Sequence, residues 1–216
     1  MNKYIIWFEG AAWLTSLVAL PRLWSRPPLR IFPLLLSLVV GVEALQYFGV
    51  ENRLGNVTTY NLLAIAMWLL YATSLYLALH QRRNRRIILA VAIFFVAVVL
   101  GSYSYYQTQQ RFNTPMYTTG TLMMVLGVLL KFYEMLKSPG QLTFLKAPFF
   151  YILFALLLFS VGTLPYFIMG NWLFYDLGRP DLVKALANVM SILNYLLYGT
   201  YTVCFVWIST TKASSS

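Results

Sequence analysis

One cysteine, one histidine and six acidic residues are all that a chain of 216 positions carries of the side chains most often used in chemistry. Each scarcity removes a class of function. Cys204, the single cysteine, can form no intrachain disulfide and no thiolate metal site; it reads as a small apolar packing residue. His80 stands alone at the edge of an apolar segment, so neither a histidine metal cluster nor an intramembrane histidine base is expected. A Gly-x-Ser-x-Gly nucleophile elbow is missing as well. No metal, no cofactor and no catalytic residue is therefore assigned. Charge is scarce too, at 10% of residues against 60% hydrophobic, and mean hydropathy is +0.68. A soluble core has no use for so much apolar surface.

What is present is a succession of long apolar runs. Windows of about 19 residues pick out seven segments: Tyr4 to Leu23, Ile31 to Val50, Asn61 to Leu79, Ile87 to Tyr106, Met116 to Leu136, Phe149 to Trp172 and Leu182 to Ile208. Each approaches the roughly 20 residues that cross about 30 Å of hydrocarbon. Short connections rich in Pro, Gly, Asn and charge separate them, among them Arg26-Pro27-Pro28, Gln81-Arg82-Arg83-Asn84 and Gly178-Arg179-Pro180-Asp181. The expected fold is all-α, a polytopic membrane protein of seven transmembrane helices. Residues 1–210 form one domain and 211–216 a short cytoplasmic tail.

The basic residues set the expected orientation. Arg22, Arg26, Arg30, Arg82, Arg83, Arg85, Arg86, Lys131, Lys137, Lys146 and Lys212 fall on one side, 11 of the 16 Lys and Arg; Lys3, Arg53, Arg111, Arg179 and Lys184 fall on the other. Positive loops stay cytoplasmic, so the N-terminus is predicted outside and the C-terminus inside. The net charge of +10 then reflects topology and contact with anionic membrane lipids, with no nucleic-acid partner. A cleaved signal peptide is not expected: the first segment carries Glu9 and ends in Leu20-Pro21-Arg22 without a small-residue cleavage site.

Glu9 and Glu43 lie within otherwise apolar segments, about 7 Å and about 10 Å below the same predicted face. An intramembrane acid is a functional-site candidate, and two on adjoining helices would hold one proton or one cation between them. Gln46 and Tyr47 follow Glu43 at i+3 and i+4, on its own face. Helix 7 presents Asn188, Ser191, Tyr195, Tyr198 and Thr202 as a polar stripe, with Asn194 beside it, and such a stripe must point away from lipid. Asn61 opens helix 3 on the same side. Pro165 is expected to kink helix 6 and free a carbonyl; the plainer reading is that it shapes packing. Thr118, Thr119, Gly120 and Thr121 read as small residues for helix packing. Plainer readings of the acids are hydrogen bonding to a neighbouring helix or snorkelling to the surface, and the functional reading leads only for Glu43.

The run Leu34 to Gly49, centred on Val42-Glu43-Ala44-Leu45-Gln46-Tyr47, resembles the second helix of a group of small seven-helix membrane proteins from Bacteroidetes-type bacteria. Pro148-Phe149-Phe150, Gly162 to Tyr166, Asn188 and Asn194 resemble that group as well, although its members usually have Phe-Trp where this chain has Phe149-Phe150. The resemblance implies a multi-pass protein of the bacterial cytoplasmic (inner) membrane. Because genes of the group tend to lie near two-component signalling genes, it also implies a sensory or accessory role. It carries over Glu43 and the two asparagines.

Three classes of function are weighed. A receptor-like sensor or accessory module would bind a small ligand, cation or lipid head group in an outward-facing polar pocket and signal to a separate protein or membrane-complex partner, alone or as a homo-oligomer. A lipid-modifying enzyme would use the carboxylates as acid and base, without the other expected groups. A transporter, channel or structural subunit would be expected to show inverted repeats or paired broken helices, which the chain lacks. Lys184, at the outer end of helix 7 and not mid-span, argues against a retinal protein.

Overall fold

The computed structural model describes residues 4–47, 56–108, 111–137 and 143–211. These form seven helices: α1 (Ile5–Leu23), α2 (Phe32–Tyr47), α3 (Asn56–Ala78), α4 (Arg82–Thr108), α5 (Thr114–Lys137), α6 (Pro148–Asn171) and α7 (Pro180–Thr210). A 3-10 turn at Thr143–Lys146 precedes α6, and a π-helical turn at Trp172–Asp176 follows it. No strand occurs among the described residues. Local sequence explains several boundaries. Pro148 and Pro180 open α6 and α7, where the missing N–H costs no helical bond. Asn113 caps α5, its Oδ1 accepting from the Met116 N–H at 3.1 Å. Gly178 has φ +60°, the left-handed conformation that lets the chain turn from the π-helical segment into α7.

Five helices, α3 to α7, are long and apolar enough to cross a membrane. Of the seven expected spans, α1 and α2 fall below that measure. The 16 described residues of α2 rise only about 24 Å, and α1 is diluted by Glu9, Thr15, Ser16 and Arg22. Many large apolar side chains point outward, Ile93, Phe94 and Leu100 on α4 and Ile192 and Val203 on α7 among them. Exposed apolar surface on this scale belongs against lipid.

Six helices close into a ring in the order α1, α2, α3, α5, α6, α7, with α7 packing back on α1. The remaining helix, α4, lies outside, against α3 and α5. The starts of α1, α3, α5 and α7 share one end of the bundle, here called the upper end. The opposite, basic end carries the α1–α2 and α3–α4 turns, tied together by side chains that satisfy backbone carbonyls: Ser74 Oγ donates to the Pro28 carbonyl at 2.7 Å, and Arg22 Nη1 to the Ile208 carbonyl at 3.2 Å. Just inside the basic end Phe32, the first residue of α2, plugs the ring, edge-on to Tyr71, Tyr201 and Phe205, while the Tyr71 and Tyr201 hydroxyls bond at 3.1 Å.

One expectation about local structure changes. Arg82, Arg83 and Asn84 are the first turn of α4, not part of a connection, so the α3–α4 link shrinks to Leu79–Gln81. The irregular backbone near helix 6 falls after it: α6 is helical throughout Pro148–Asn171, Pro165 included, and a π-helical turn follows at Trp172–Asp176.

Candidate functional site

Above the Tyr71–Tyr201 plug the ring encloses a chamber of about 230 Å³ to which all six ring helices contribute and α4 does not. Its polar wall is Glu9 from α1, Glu43 from α2, Tyr60 from α3 and Ser191, Asn194 and Tyr198 from α7. The rest of the lining is largely aromatic and apolar, with Met67 and Trp68 on α3, Tyr117 on α5 and Phe159 and Phe167 on α6, and with the hydroxyls of Tyr71, Thr121 and Ser160.

The two acids are buried, Glu9 at 4% exposure and Glu43 at 9%, and line the same chamber. Glu43 Oε1 accepts from the Tyr60 hydroxyl at 3.2 Å, and Tyr60 is steadied in turn by Tyr117, whose hydroxyl donates to the Tyr60 carbonyl at 3.2 Å. Glu9 Oε2 is buried with no hydrogen-bond partner among the described residues. That costs free energy unless something fills the role. No lysine, arginine or histidine is among the described residues that line the chamber.

The residues expected from sequence are sorted by helical geometry. Glu9, Glu43, Ser191 and Asn194 line one chamber. Asn188 is exposed and outside it: the chamber-facing side of α7 is Met190, Ser191, Asn194, Leu197 and Tyr198, and at 100° per residue Asn188 sits roughly 120° round from its centre. Pro165 is likewise exposed, on the face of α6 opposite Leu156, Ser160 and Phe167. Asn61 is buried but already committed. Its Nδ2 donates to the Arg111 carbonyl at 3.3 Å and its Oδ1 accepts the Asn113 N–H at 3.4 Å, clamping the α4–α5 connection to α3. For Gln46 and Tyr47 the structure describes the helical backbone alone; their side chains lie outside the described residues.

Sequence reasoning missed Tyr60, Trp68, Tyr71 and Tyr117. The signal was the spacing Tyr60, Ala64, Met67, Trp68 and Tyr71, one 3.6-period face of α3 with three polar-tipped aromatics. It also missed a second polar centre at the basic end, where Lys131 was read only as part of a positive loop. The Glu134 carboxylate accepts the His80 N–H at 2.8 Å, the Gln81 N–H at 3.0 Å and Asn84 Nδ2 at 2.9 Å, capping the start of α4. Lys131 Nζ donates to the Ala78 carbonyl at 2.7 Å, at the end of α3, and lies 3.8 Å from Glu134. This explains the tight α3–α4 link: one i, i+3 pair on α5 satisfies both sides of the turn.

A second cavity of about 240 Å³ opens at the upper end, lined by Phe112, Tyr117, Tyr166, Phe167, Phe174 and Tyr175 with Thr114 and Asn171. Asn171 Nδ2 ties α6 to the start of α5, donating to the Phe112 carbonyl at 2.7 Å and Thr114 Oγ1 at 2.9 Å. Arg111 covers the Tyr175 ring, 4.0 Å from its centroid. Tyr117 and Phe167, with ring centroids 4.8 Å apart, line both cavities. The chain matches no protein-family model, no curated protein and no solved structure.

Proposed function

We propose that the chain is a ligand-binding membrane module, a receptor-like sensor or accessory protein. In this reading it has seven spans in a bacterial inner membrane, with the N-terminus outside, and takes a small positively charged ligand into the chamber from that side. The observation that carries the reading is the unpartnered, buried Glu9 Oε2 facing a chamber that also holds Glu43. Among the described residues no lysine, arginine or histidine side chain lines the chamber beside the two carboxylates, and buried carboxylates without such a partner favour protons or a bound cation.

Supporting a signalling role is the layout of α5. It contributes Tyr117, Thr121 and Met124 to the chamber and, two turns further on, Lys131 and Glu134 to the α3–α4 turn. A change at the chamber that shifts α5 shifts the basic end with it, and that is the surface offered to a separate partner protein. The polar pair on α5 is a more direct link than the expected kink in α6.

Thermal unfolding of the purified protein in nanodiscs, with sodium, potassium, ammonium or alkylammonium salts at matched ionic strength, tests the binding. Wild type is expected to be stabilised by at least one of these cations, through mass action on the folded state, and a Glu9→Gln/Glu43→Gln variant by none. Identical responses in the two proteins would refute the reading.

A further inference from the structure

Resting on that reading, we infer that the ligand class is a small organic ammonium ion, its charge seated between Glu9 and Glu43 and its apolar body against Trp68, Tyr117 and Phe167. The carboxylates alone do not discriminate between a proton, a metal ion and an organic cation; the rest of the wall does. Hard metal ions take six to eight oxygens. Here the lining is mostly carbon, and no three His, Cys, Asp or Glu side chains converge among the described residues. Aromatic faces opposite a carboxylate suit an ammonium group instead, since the ring quadrupole and the anion attract the same charge from two sides.

Trp68 is the strongest such face and is held in place. It packs edge-on against Tyr117 at 4.9 Å and Phe95 at 6.0 Å between centroids, and backs onto Gly120, where any Cβ would overlap the indole. At about 230 Å³ the chamber is smaller than the roughly 300–1,000 Å³ of drug-sized pockets, so the ion is small, an amine with one ring or a short chain. The aromatic cavity at the upper end shares the Tyr117–Phe167 wall and supplies a route of the same chemistry. The Tyr71–Tyr201 plug closes the other side.

The test is titration of the nanodisc-embedded protein with phenethylammonium chloride, 2-phenylethanol and sodium chloride, followed by tryptophan fluorescence and by melting temperature. Trp68 is the only tryptophan in the chamber wall. The expected result is quenching by phenethylammonium that disappears in Trp68→Phe, with affinity about tenfold or more weaker for 2-phenylethanol and in Glu9→Gln. Should Glu9→Gln fail to fold, Glu43→Gln takes its place, and the amine-against-alcohol comparison needs only wild type. Equal binding of the alcohol, or quenching that persists in Trp68→Phe, overturns the inference. Stabilisation by sodium alone overturns the organic class while leaving cation binding in place. No response to either cation in wild type overturns both.

Discussion

Asn61 and Tyr60 are neighbours in sequence with different roles. Asn61 spends its amide on the backbone of the α4–α5 connection, while Tyr60 points its hydroxyl at Glu43. One residue along a helix is a rotation of 100°, enough to separate a structural clamp from a chamber wall. Glu134 shows how much one polar side chain can hold. Its oxygens accept two backbone N–H groups and the Asn84 amide, and truncation removes the acceptor of the buried Asn84 amide and of two part-buried N–H groups. Glu134→Ala is expected to cost about 2–4 kcal/mol, read as a lower melting temperature. Glu134→Gln, which keeps one acceptor oxygen, should recover part of the loss. An equal loss in both variants would show that charge, not acceptance, is what the turn needs.

Small residues on α5 let α3 and α5 approach closely. Gly120 faces the Trp68 indole and Gly127 faces Leu75 and Ile88, and at neither is there room for a Cβ without displacing its neighbour. The Thr118 to Thr121 segment reads from sequence as serving packing rather more than binding; Thr121 lines the chamber, so one turn of α5 both seats the helix and shapes the site. Gly120→Ala is expected to destabilise by about 1–3 kcal/mol and to weaken ligand binding by pushing the indole inward. Gly101→Ala on α4 meets nothing within 4 Å and should be neutral or stabilising by up to about 1 kcal/mol from helix propensity. Comparing the melting temperatures of the two variants checks this. Similar effects at both positions would remove the steric argument.

For the whole molecule, the ring divides labour along its length: aromatic cavity and acidic chamber at the upper end, polar turn clamp at the basic end, tyrosine plug just inside it. The positive-inside rule predicts the orientation, and single cysteines in a Cys204→Ala background check it. In intact cells an impermeant maleimide is expected to label Asp176→Cys, on the exposed turn after α6, and to label Arg83→Cys, at the exposed start of α4, only after permeabilisation. The reverse pattern would invert the topology and place the chamber on the cytoplasmic side.

By itself the sequence determined the helices, to within a few residues at most ends, because apolar run length and proline or glycine punctuation are local properties. It also marked Glu9 and Glu43, since a carboxylate in an apolar run stands out without any neighbour being known. Only the tertiary structure decided that α4 stands outside the ring, that Asn188 and Pro165 face away from the chamber, and that Trp68, Tyr117 and Phe167 line the same chamber as the acids. Those facts depend on which face each helix turns to its neighbours. In a chain where nearly every face is apolar, that rotation is set by close packing among helices far apart in sequence.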